Sequence, residues 1–158
     1  MNRRSSGAKA RRRTFRVWTL AQTEAAVPYI SSVVRSLREH TVEALNRHRA
    51  LDVLNARPGR PDRETLIRVH DTDRAARRAE EQSREAEQEL NTLDVLSLDA
   101  VNGLALVPFV HDEQLAWYVF DLHDTPSLRF WRFQTDPNET RRPITSAQHG
   151  IPGTAVAT

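Results

Sequence analysis

At 158 residues, 39% hydrophobic and 28% charged, the chain is long enough for one domain with a core and too short for two ordinary ones. No apolar run approaches the roughly 20 residues of a membrane-spanning helix, and residues 1–16 lack the apolar segment of a secretory signal. The absence of cysteine excludes disulfides and thiol chemistry.

A soluble, cytoplasmic protein that does not engage the membrane is therefore expected. Its net charge of +2 conceals an asymmetry. Arg3, Arg4, Lys9, Arg11, Arg12, Arg13 and Arg16 are seven cations in the first sixteen residues, with no acid, which leaves the remainder at −5. Residues 1–16 read as a basic disordered tail. On an acidic body such a tail can contact phosphate backbones, so Arg3, Arg4, Lys9, Arg11, Arg12 and Arg13 are candidates for weak nucleic-acid contact. The plainer reading is a solvated tail, since lysine occurs once against 22 arginines, a bias that follows codon composition.

Order is expected from about residue 17, in a single domain spanning 17–144. Thr19 followed by Gln22 reads as a capping box. Apolar residues then recur at helical spacing (Ile30, Val33, Val34, Leu37, Ala44, Leu45, Leu51) over a helix of about 20–55. Pro28 suggests a kink or a late start, and Pro58, Gly59 and Pro61 end the helix. Asp62 is a good N-cap for a second helix, about 62–91, free of Gly and Pro. Its apolar stripe is thin, and Arg–Glu pairs such as Arg77–Glu81 add only about 0.2–0.5 kcal/mol each. The two helices form a coiled-coil-like antiparallel hairpin whose thin seam calls for a cover, either a sheet or a second copy of the chain.

From 95 to 134 the pattern becomes strand-like, in runs of about 95–99, 104–110, 115–122 and 128–134. Asn102-Gly103, His111–Gln114 and His123–Ser127 mark the turns. Connections this short specify an antiparallel meander. The fold class is α+β: a long helical hairpin followed by a small β-meander packed on it. Residues 145–158 read as a disordered tail.

The stretch WTLAQTEAAVP (18–28), Gly103-Leu104 before Pro108, the strands carrying Trp117 and Trp131, and the closing Arg141-Arg142-Pro143-Ile144 resemble, in order and spacing, the bacterial domain-of-unknown-function family 2203. The similarity covers most of residues 17–144. The family is an uncharacterised one, so the resemblance implies an architecture and no reaction. The chain departs from the family's pattern at Leu106, where relatives tend to carry Asp. It departs again at Val119-Phe120-Asp121, against Cys-Trp-Arg, and at Arg132, against His. A site built from those family positions would be lost or rebuilt here.

Candidate chemistry is sparse. There is no Gly-rich phosphate loop, HExxH or nucleophile elbow, so an enzyme is not favoured. Counted outward from the Pro58-Gly59 turn, His48 and His70 fall at similar distances, each with a carboxylate one turn on, Asp52 and Asp73. His48, Asp52, His70 and Asp73 are thus candidate ligands for a divalent metal between the helices, although exposed histidines beside acids fit the spacing as well. Otherwise no cofactor is expected. The strands 115–122 and 128–134 are apolar on both faces. Trp117, Tyr118, Phe120, Phe130, Trp131 and Arg132 are therefore candidates for a core that also offers an interaction surface, one face on the hairpin and the other on a partner or a folded-back tail. Asp121 and Arg132 could pair across the sheet. The function expected is a non-catalytic interaction or scaffold protein, a homodimer, with a metal-binding protein and a weak nucleic-acid binder as alternatives.

Overall fold

The computed structural model describes residues 14–145. Helices α1 (Leu20–Asn55) and α2 (Arg63–Thr92) pack against each other. Five antiparallel strands follow: β1 (Leu96–Asp99), β2 (Leu104–His111), β3 (Gln114–Asp121), β4 (Leu128–Phe133) and β5 (Arg142–Pro143), in the sheet order β1-β2-β3-β4-β5. The hairpin and meander are those read from the sequence. The two-residue β5, which pairs with Phe130 and Trp131, is additional.

α1 starts on the expected capping box: Gln22 N donates to Thr19 Oγ1 at 3.2 Å and Thr19 N to Gln22 Oε1 at 3.0 Å. The helix does not wait for Pro28 but begins eight residues before it and runs through. α2 opens on Asp62, whose Oδ1 accepts from Thr65 N at 2.7 Å. That backbone hydrogen bond holds the Asp62 carboxyl below the usual carboxylate value. Between the helices, Gly59 sits at φ +91°, a left-handed conformation that side chains with a Cβ rarely adopt.

The two helices contribute unequally to their seam. α1 buries Ile30, Val33, Val34, Leu37, Leu51 and Leu54, whereas α2 buries three alanines, Ala76, Ala79 and Ala86, and Leu90. Only the base of this seam is roofed. Leu20, Ile30, Val33, Val34, Leu37, Ala86 and Leu90 share one core with the helix-facing side of the sheet. Ala44, Leu51, Leu54, Ala76 and Ala79 are buried between the helices but lie outside that common core. The hairpin therefore projects past the sheet as two helices in which Ala44, Leu51 and Leu54 of α1 close on alanines of α2.

The sheet departs from strict alternation at one place. Val119 pairs with Phe130 and Phe120 with Leu128, so Arg129 is an extra residue in β4. This bulge turns Leu128 to the helix side with Trp131, instead of leaving it beside Phe130 as plain alternation predicts. The opposite face gathers Leu106, Trp117 and Val119 under Phe15. Phe15 meets the Trp117 ring edge-on at 5.3 Å. Arg16 N donates to Asp94 Oδ2 at 2.8 Å, Trp18 N to the Pro108 carbonyl at 2.8 Å, and Trp18 Nε1 to the Leu93 carbonyl at 3.1 Å. Residues 14–18 thus form a strap. Phe15 and Arg16, read above as part of the tail, belong to the fold.

Candidate functional site

Most of the residues expected to form an interaction surface on the sheet are used inside the chain. Tyr118, Phe120 and Trp131 belong to the core shared with the helices, and Trp117 is 2% exposed beneath the strap. Phe109 stacks on Tyr118 at 3.9 Å, and Trp131 meets Phe133 edge-on at 4.9 Å. Burial raises the Tyr118 phenol to about 12. Of the six, only Phe130 retains partial exposure. The physical reason is the strap: it covers the second face that the sequence left for a partner, the folded-back alternative.

Asp121 and Arg132 do not pair. Arg132 stands opposite Trp117 in the ladder, while Asp121 stands opposite Leu104. The Asp121 carboxylate accepts from His123 N at 2.9 Å. Arg132, 5% exposed, spends its guanidinium on the β4–β5 turn, donating to the carbonyls of Phe133 and Asp136 and to Asn138 Oδ1 at 3.0–3.2 Å. Asp136 closes the same turn. It accepts two hydrogen bonds from Arg142 at 3.0 Å and one from Phe133 N at 2.9 Å, and the Arg142 bonds lead in holding its carboxyl below the ordinary value. This cluster shapes a turn.

His48, Asp52, His70 and Asp73 are not brought together. His48 Nε2 contacts Glu80 Oε1 at 2.6 Å, ten residues along α2 from His70, which is about 15 Å of helix. His70 lies 3.6 Å from Asp71, and Asp73 accepts from Arg77 at 2.9 Å. Arg77 thus pairs back to Asp73 rather than forward to Glu81. Among the described residues no group of three or more His, Asp or Glu side chains is placed to hold a metal ion. The cause is an offset between the helices. Thr41 Oγ1 and Ser83 Oγ meet at 2.8 Å. From that contact α2 runs about six residues, or about 9 Å, further than α1, so counting outward from the turn misaligns the histidines.

That offset creates the feature with most to offer a partner. The first turns of α2 overhang the end of α1 and leave Leu66 and Ile67 at 55% and 51% exposure. Val53 and Leu45 on α1 are 64% and 42% exposed. Leu45 lines a shallow groove between the helices with Thr41, Ala44, His48, Glu80 and Ser83, about 290 Å³ in volume. A second open depression, over Pro28, Ser31, Ser32, Arg35, Ser36 and Glu39, lies on α1 alone. Sequence reasoning marked Leu45 as part of the buried stripe; the helix offset and the alanines opposite leave it half open. The basic residues Arg3, Arg4, Lys9, Arg11, Arg12 and Arg13 lie outside the described residues. No described helix is long and apolar enough to cross a membrane.

Comparison with known proteins found no matching family model, no similar curated protein and no similar solved structure.

Proposed function

We propose that this chain is a non-catalytic interaction or scaffold protein that works as a homodimer, with the projecting part of the helical hairpin as its contact surface. One observation carries the reading: where the hairpin leaves the sheet, its seam is closed by Ala44, Leu51 and Leu54 of α1 against only Ala76 and Ala79 of α2, while Leu45, Val53, Leu66 and Ile67 remain 42–64% exposed. Full burial of one such side chain contributes about 1.5–3 kcal/mol, so covering the open part of several supplies a driving force that the monomer leaves unused. A four-helix arrangement formed by two hairpins is the simplest cover of this kind. The cytoplasm is the proposed compartment. Light scattering tests the reading: at tens of micromolar the expected mass is twice 18.1 kDa. A monomer at that concentration removes the proposal.

A further inference from the structure

We infer that the two copies join antiparallel, groove face to groove face, with the tip of each hairpin lying along the base of the other. The inference rests on the homodimer reading and adds an orientation to it. A division of the hairpin at the level of the His48–Glu80 contact also divides its charge. The tip, residues 47–78, holds nine arginines against five carboxylates, a net +4. The two base segments, 20–46 and 79–92, hold three arginines against eight carboxylates, a net −5.

A parallel pair of hairpins sets like charge on like charge at both ends. The antiparallel pair sets +4 on −5 twice, as two-fold symmetry requires of a self-complementary surface. Single exposed ion pairs contribute little. Summed fields of one sign nevertheless decide between orientations, because the wrong one is repulsive along its whole length. The apolar residues fit the same geometry. Leu45 lies near the charge boundary, where a two-fold axis crosses, so it meets its own copy in the groove. On α2 the series 66, 70, 73, 77, 80, 84, 87 advances in steps of four and three and follows one side of the helix. Glu80, Arg84 and Glu87 of that series line the groove, which puts Leu66 on the same side at the tip. An axis midway along α2 then brings Leu66 of one copy within about one turn of Glu87 of the other.

The test uses the full chain, which has no cysteine of its own. Leu66→Cys and Glu87→Cys proteins are mixed and treated with a short thiol crosslinker. The expected main product joins position 66 to position 87; a product joining 66 to 66, with none joining 66 to 87, overturns the inference. A second measurement does not depend on crosslinking geometry. Arg57, Arg60 and Arg63 are changed to Glu in one protein, and Glu81, Glu85 and Glu87 to Arg in another. Each alone should dimerise at least about tenfold more weakly at low salt, and an equimolar mixture should recover full affinity as the heterodimer. Dimers indifferent to both reversals sink the antiparallel inference and leave the homodimer standing, whereas monomers of the unaltered chain sink both. Lys9 is the single lysine. Carbodiimide coupling that joins it to the base carboxylates in place of the tip contact assigns the acidic surface to the chain's own basic arm, and also overturns the inference.

Discussion

Phe120 and Asp136 show two ways in which one side chain supports this fold. Phe120 is fully buried near the end of β3, in the core that the sheet shares with the helical base. Its truncation to alanine should cost about 3–5 kcal/mol, read from the denaturant midpoint; a loss below about 1 kcal/mol would show that the site collapses around the gap. Asp136 acts through charge. Its carboxyl is held below 3.8, first by the Arg142 hydrogen bonds and then by Phe133 N. A depressed folded value contributes stability above the unfolded value, and that contribution is lost as pH falls through the folded one. Wild type should therefore exceed Asp136→Asn in stability at neutral pH, and the difference should shrink once the pH drops below about 3.8. Equal acid sensitivity in the two proteins counts against this. Tyr118 works with the opposite sign. Its phenol is raised to about 12, so the neutral buried form adds stability that is complete below 10.0 and is lost as pH climbs towards about 12. Absorbance titration should show this late phenolate, absent in Tyr118→Phe. Phe120 was legible from apolar density alone. Asp136 was not, because a turn sequence does not reveal which arginine will fold back onto it.

The strap and the hairpin differ in how far their residues announce them. Both helix starts could be read from Thr19-Gln22 and Asp62, since a cap is a local arrangement of neighbouring residues. The offset between the helices could not, because it depends on how a seven-residue connection is spent in space. That unreadable quantity separated His48 from His70 and exposed Leu66. The bulge at Arg129 and the strap are likewise long-range outcomes: β1 is short, so the edge of β2 near Pro108 is open to the Trp18 N–H. The strap yields a prediction at this scale. Deletion of residues 1–16, which removes Phe15 and Arg16 but keeps Trp18, should lower stability and shift the tryptophan emission to the red, whereas deletion of residues 1–13 should leave that emission unchanged. Identical spectra from both truncations would deny the strap its covering role.

Across the whole molecule, stability should follow the roof. Where the sheet covers the hairpin, Ile30, Val34 and Leu90 are almost fully buried in a core drawn from both layers. Beyond it the helices have only each other, and short helical pairs in water are marginal without further packing. Hydrogen exchange should therefore be slowest in the core of α1 near 30–37 and in β2 and β3. It should be markedly faster in the projecting segments near 44–54 and 66–80 of dilute protein. Protection that rises in those segments with protein concentration supports the dimer; uniform protection at every concentration opposes it. The α+β class and the order of elements were visible in the sequence because hydrophobic period and turn chemistry are local. The cover of each surface was not, since that depends on which distant parts meet.

The strap also has a bearing on the order in which the protein is completed. Arg16 and Asp94, which it joins, lie 78 residues apart. Phe15 leaves the ribosome long before Trp117 exists to receive it. Until β3 has paired with β2, the strap has no seat, and afterwards the outer face of the new sheet stays bare until the start of the chain returns to it. Contacts of such wide separation form late, because the loop they close must first be ordered. A segment made before the sheet is thus among the last to find its place, and in the interval Leu106, Trp117 and Val119 lack the cover of Phe15.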